Sequence, residues 1–332
     1  MVTVDITSDT GAIAAISGAH HMYNHSAADA VSAALKAGCD INSGAQYSHN
    51  LKHAVETGIL NESAVDAALI NAFAIRIRLG LFDPADDQPK YPPEMVNSME
   101  YQMLSQDASR QAMTLLSNHP TALSGDGTLS SAAGVLPLSR GSKVAVIGPN
   151  SNTKALMVGG TGAVMDNAQI VCKGAKDHGD WSCVKSPYDA IAATNGDAEL
   201  TSLSTGASIH PEKENNSTLS QMMAQAVAAA QAADAVIFLI GDDWETEHEC
   251  HDRDTIELPG NQVDLVANVA AAVPSSVPLV AVLVHGSSLD IGPILHHTHA
   301  VLDGFYPGIH GAQAIADTLF GLTVPSGKLP WT

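Results

Sequence analysis

Basic residues are scarce in this chain: 15 lysines and arginines stand against 35 aspartates and glutamates, a formal charge of -20 over 332 residues. Most of such a surface repels a phosphate backbone and anionic lipid, which sets aside nucleic acid and membrane as partners. Long apolar runs are also lacking. No stretch approaches the 18 residues of a membrane span, and the opening MVTVDITSDTGAIAAISG has no basic n-region and reaches Asp5 and Asp9 too early for a signal peptide. The four cysteines, Cys39, Cys172, Cys183 and Cys250, are too few and scattered for a disulfide framework, although Cys172 and Cys183 are close enough for a loop bridge. Without a Cys-x-x-Cys unit or a compact His and Cys spacing, no structural zinc site is expected.

Several chemical motifs are missing as well. GPNSNTKALMVGGTG contains Gly148, Gly159, Gly160 and Gly162 but is neither a dinucleotide fingerprint nor a phosphate loop. His20-His21 and His296-His297 do not make the helical zinc spacing, so they read as loop or surface histidines. Ser287 and Ser288 follow Gly286 without a nucleophile elbow. Four sequons, beginning at Asn24, Asn61, Asn215 and Asn216, matter only on the secretory route.

What is present is a globular composition, 45% apolar, with length enough for two domains. Residues 2–7, VTVDIT, read as a short strand ending in a turn at Ser8-Asp9-Thr10-Gly11. A helix is expected over 26–36, then a second short strand and loop in AGCDINSG. Another helix over 61–79 has Asn61 as cap and Gly80 as stop. FDPADDQPKYPP marks a linker and a boundary near residue 85. Beyond it the pattern predicts a helix over 99–117, a mobile Ser/Gly/Ala-rich loop at 121–134 and a buried strand in KVAVIGPN. Residues 150–215 have poor periodicity. A regular series follows: helix 217–232, strand 235–240, an acidic loop, helix 260–271, strand 278–284, an apolar stretch 300–304 and helix 311–319. Continuous apolar strands alternating with helices indicate an α/β fold whose mostly parallel sheet is covered on both faces.

Ligands bind such sheets at the carboxyl ends of the strands. GDDWETEHECHDRDTIELPGNQ stands at one of these ends, with Glu245, Glu247 and Glu249 beside Asp252-Arg253, and Asp9 stands just after another strand. Retaining glycoside hydrolysis needs one ionised carboxylate to attack the anomeric carbon and one protonated acid for the leaving oxygen, about 5 Å apart. Clustered acids can keep one member protonated. A solvated acidic loop accounts for the same pattern.

The stretches TSDTGAIAAI with HHMY, ALKAGCDINSGAQY, IRLGLFDP, LPLSRGSKVAVIGPN, ETEHECHDRDTIELPGNQ, DGFYPGIHGAQAIADTLFG and PSGKLPWT stand in this order along the chain, and as a set they resemble glycoside hydrolase family 3, the β-glucosidase and β-xylosidase family, closest to its fungal and plant β-xylosidase-like branch. The resemblance implies that residues 1–85 are the end of a (β/α)8 barrel, with AGCDINSG in its eighth strand, 86–98 a linker, and 99–332 an α/β sandwich domain. It implies Asp9 as nucleophile, Glu249 as acid/base with Glu247 the alternate, an oligosaccharide or small glycoside as partner, no cofactor or metal, and an extracellular location. A whole barrel takes about 250 residues, so roughly its first six strands are expected to be absent from this chain. Ser117 stands where the family has a lysine. A noncatalytic carbohydrate-binding or inert fragment is the alternative.

Overall fold

The computed structural model describes residues 4–18, 26–120, 134–158, 168–172, 174–248 and 251–330, and the chain divides into two compact units, Met1–Pro93 and Glu94–Thr332. The first contains helices α1 (Ala12–Ser17), α2 (Ala27–Lys36), α3 (Gln46–Glu56) and α4 (Glu62–Arg78). Ser26 caps α2 by accepting from the Asp29 N–H, which satisfies one of the donors that a helix start leaves open. Its stripe of Val31, Ala34 and Leu35 packs with Ile13, Ala54, Leu60 and Ala68.

Among the described residues, which begin at residue 4, the strands expected at 2–7 and in AGCDINSG show one parallel bridge, Thr7 to Ile41. Asp40 N and Ile41 N donate to the Ile6 carbonyl and Ser8 N to that of Ile41, but no further strand pairs with them among the described residues, and two strands alone do not sustain a sheet. Helix α3 stands where no helix was expected. Tyr47, Leu51, Ala54 and Val55 do recur at helical spacing, within an otherwise polar segment.

The second unit opens with α5 (Met99–Ala112), capped by Ser98. The helix expected over 99–117 ends early because Met113 turns extended and Thr114–Asn118 become strand β1. Then come β2 (Val144–Ile147), α6 (Pro187–Asn195), β3 (Thr201–Ser204), α7 (Asn216–Gln231), β4 (Ala235–Gly241), α8 (Gln262–Ala272), β5 (Leu279–Val284), β6 (Ala300–Asp303) and α9 (Gly311–Leu319). Among the described residues the strands form a six-stranded sheet ordered β1-β6-β5-β4-β2-β3, parallel except for the antiparallel edge β1. Pairing with β6 is what overrides the helical run at 113–117, since ladder bonds and packing outweigh small propensity differences.

Strand periodicity divides the core in two. Val146, Ile237, Leu239, Val280 and Val282 face a layer with Ile191, Ile315 and Leu319, while Ile147, Phe238, Ile240, Ala281 and Leu283 face Ala226, Leu265 and Val269. Both faces are therefore buried, the reason these strands read as continuous apolar runs. Helix α6 and strand β3 lie inside 150–215. There Ser186 and Asp189 form a reciprocal capping box, with Pro187 at the first helical position. Cys172 and Cys183 are joined in a disulfide. The loop expected at 121–134 lies outside the described residues except for Gly134, as do His20, His21, Asn24, Gly159, Gly160, Gly162 and Cys250.

Candidate active site

In the first unit, Asp9 is exposed in the turn that follows the Thr7–Ile41 bridge. The Ser8 hydroxyl accepts from Ser43 N at 3.0 Å and from Asn42 Nδ2 at 3.3 Å, and Gly11 N donates to the Ser43 carbonyl. The Asp9 carboxylate accepts from Thr10 N at 2.7 Å. The Ser8-Asp9 pair is thus fastened to the segment 41–43, with the carboxylate outward.

In the second unit the polar residues gather at the carboxyl ends of the parallel strands. Gln262 is fully buried and clamps Gly241: its Oε1 accepts from Gly241 N, and its Nε2 donates to the carbonyls of Gly241 and Pro259. Gly241 has φ +149, and a Cβ there would lie 1.9 Å from the Val284 carbonyl oxygen, so only glycine fits. This clamp ends β4 and releases Asp242 and the acidic loop from the sheet.

Asp242 is fully buried. Its Oδ1 accepts from the Tyr306 hydroxyl at 2.7 Å; its Oδ2 has no hydrogen-bond partner, with Arg253 Nη1 at 3.5 Å. Burial pushes this carboxyl above the usual carboxylate range, against the Tyr306 bond and the His285 and Arg253 charges. Beside it His285, 1% exposed, faces Asp303 Oδ1 at 3.0 Å through Nε2. Its Nδ1 meets the Ser287 carbonyl. Burial pulls the His285 pKa down, but the Asp303 bond and charge, the Ser287 carbonyl and Asp242 outweigh it and hold the pKa above its ordinary value.

From this buried group the contacts lead out to the acidic loop. The Ser287 hydroxyl donates to Glu247 Oε2, and Arg253 Nη1 stands 3.9 Å from the same oxygen. Arg253 also donates to the Glu257 carbonyl at 2.6 Å. Trp244, His248 and His251 stack along the loop, with centroids 4.8 and 5.1 Å apart. Glu249 lies outside the described residues.

On the opposite flank, His210 Nε2 faces both Asp243 oxygens at 3.0 Å and Glu245 Oε2 at 3.3 Å. These three residues could each offer a metal one ligand atom, all within 4.8 Å of one another. The Lys213 ammonium already pairs with Glu245. They border a cavity of about 420 Å³ that Asn150, Leu156, Met222 and Trp244 also line.

Sequence reasoning singles out Asp9 and the acidic loop and passes over Gln262, His285, Asp303 and Tyr306. A signal was available for two of these. His285 directly follows the apolar strand LVAVLV, and Asp303 ends AVLD, so each puts an ionisable group at the carboxyl end of a strand.

The profile of the "Glycosyl hydrolase family 3 C-terminal domain" matches residues 113–332. The chain belongs to glycosyl hydrolase family 3. This family 3 chain is 33% identical to "Probable beta-D-xylosidase 7" of Arabidopsis thaliana, over 98% of its own length and 38% of the relative's. It is 31% identical to a "Probable exo-1,4-beta-xylosidase" of Neosartorya fischeri, over 98% of the chain and 37% of the relative. Among solved structures, a family 3 exo-β-xylosidase bound to a xylobiose aziridine probe matches with a TM-score of 0.72 and 25% identity, over 98% of this chain and 37% of that one. A β-glucosidase from Erythrobacter marinus matches with a TM-score of 0.72 and 27% identity, over 99% and 42%. The family 3 chain thus spans about two fifths of the length of the proteins it matches. No helix among its described residues is long and apolar enough to cross a membrane.

Proposed function

We propose that this chain carries the two catalytic carboxylates of a retaining, exo-acting β-glycosidase of the β-xylosidase or β-glucosidase type, which releases terminal non-reducing sugars. The observation that carries the reading is the acidic loop at the carboxyl end of β4, where Glu247 is held by Ser287 and Arg253 in a family 3 chain. Residues 1–85 are read as the end of a (β/α)8 barrel, 86–98 as a linker and 99–332 as the α/β sandwich domain.

Asp9 attacks the anomeric carbon to form a glycosyl-enzyme, while Glu249 gives its proton to the departing oxygen. Glu249 then takes a proton from water, whose oxygen displaces Asp9 and leaves the sugar with its original configuration. Glu247 is the alternate for the acid/base role. No step calls for a cofactor or a metal. The Cys172–Cys183 disulfide supports an oxidising, extracellular setting.

The test is hydrolysis of chromogenic β-xylosides, β-glucosides and α-arabinosides by the purified chain. Turnover abolished by Asp9→Asn, and lowered by Glu249→Gln more than by Glu247→Gln, bears out the three roles. Equal turnover by Asp9→Asn refutes the nucleophile. Glycoside binding without turnover by a folded sample favours the noncatalytic reading.

A further inference from the structure

We propose that His285 is a doubly protonated positioning residue, an imidazolium that holds the acidic loop in place through Ser287. The geometry of its two nitrogens carries the argument. Nε2 faces a carboxylate oxygen of Asp303, and Nδ1 faces the carbonyl oxygen of Ser287. Neither oxygen can donate, so each bond requires a proton on the nitrogen. Neutral imidazole carries only one and would aim a lone pair at the other oxygen.

Buried charge supports the same state. Asp303 is almost fully enclosed, and its Oδ1 also accepts from Phe305 N at 3.1 Å, so it acts as an acceptor twice over. Phe305 adopts φ +52 to deliver that N–H, and its ring lies 5.4 Å from the His285 ring. Among the described residues, the ionisable groups of this cluster include Asp303 and Tyr306 after β6, and Asp242, Arg253 and Glu247 from the segment after β4. A cationic His285 gives the enclosed Asp303 carboxylate, 3.0 Å away, the opposite charge that a buried ion requires.

The hold reaches the loop in one further step. His285 fixes the Ser287 carbonyl, and the hydroxyl of the same residue donates to Glu247, two positions before Glu249. Loss of the His285 proton frees one of its two acceptors and slackens the anchor. The consequence for catalysis rests on the glycosidase reading above; the protonation and the anchoring do not.

The experiment uses the intact chain labelled with ¹⁵N-histidine, titrated from about pH 5 to about pH 9, across the ordinary histidine range. His285, assigned by His285→Gln, is expected to show two protonated ring nitrogens at neutral pH. A single protonated nitrogen there overturns the proposal. Hydrogen exchange of the 243–248 amides supplies a second readout. Both His285→Gln and Ser287→Ala, the latter leaving the carbonyl contact intact, should speed it about tenfold, the effect of losing one hydrogen bond to a charged group. Unchanged loop exchange in a folded Ser287→Ala protein overturns the anchoring. If the chain turns over glycosides, His285→Gln shifts the alkaline limb of kcat/KM and Ser287→Ala lowers kcat without shifting it. Two protonated nitrogens and a loosened loop in a chain without turnover sink the glycosidase reading and leave this one standing.

Discussion

The two units treat similar apolar residues in opposite ways. Every residue of β4, β5 and β6 is buried, because each strand has a neighbour on both sides and helices on both faces. In Met1–Pro93 the extended segment around Thr7 has one bridged partner, and Val4 and Ile6 remain 61% and 53% exposed. Helix α4 shows the same contrast. Its small residues Ala68 and Ala72 are buried while Ile70, Phe73 and Ile77 are exposed. A β-branched residue gains stability only when other elements cover it, so apolar content alone does not report how much a unit is stabilised.

The largest expected test of this contrast is Phe238→Ala in β4. Its side chain is fully buried, and truncation should cost about 3–5 kcal/mol. Tryptophan fluorescence reads this unit alone, since Trp181, Trp244 and Trp331 all follow Pro93. Reduction of Cys172–Cys183 comes next, at about 3 kcal/mol from the loop entropy returned to the unfolded chain; coincident denaturant curves with and without reductant would count against it. Ser186→Ala removes the α6 cap and should cost about 1 kcal/mol. At the small end, Ile70→Ala in the first unit, at a position 68% exposed, should change stability by no more than about 0.5 kcal/mol and reduce aggregation, as light scattering would show.

pH sharpens the comparison in the second unit. The folded state holds the His285 proton above the ordinary histidine value, so this stabilisation is full below about pH 6.5 and is lost as pH rises through the folded pKa. The stability gap between the wild-type chain and His285→Gln should therefore narrow toward alkaline pH. Asp242, raised by burial, also loses stability as pH rises, and His299 and His310, lowered by burial, act in the opposite sense. His299 and His310 are common to both proteins and largely cancel in the difference, whereas Asp242 feels the His285 charge and changes with it.

The central strands were legible because burial on both faces writes them as unbroken apolar runs. β1 was not, because TLLSN continues the helical spacing of 99–112 and becomes a strand only through β6, some 185 residues later. Residues 46–56 were obscured by polar content, and α6 by the irregular text around it, although Ser186-Pro187-Tyr188-Asp189 is a start signal in plain view. For the site, the acid cluster stood out through local charge density. The roles of Gln262 and His285 depend on partners 21 and 18 positions away in sequence, a proximity that no local pattern encodes.

The edge strand β1 also constrains the order in which the sheet can be assembled. A ribosome delivers Thr114 long before Asp303, its partner across the ladder. Gly327, later still, donates to the Met113 carbonyl. The inner parallel strands can therefore associate while translation continues, whereas β1 must wait with an unpaired backbone until nearly the whole unit has emerged. During that interval the unpaired β1 and, once it has emerged, the open edge of β5 are what a chaperone would need to shield.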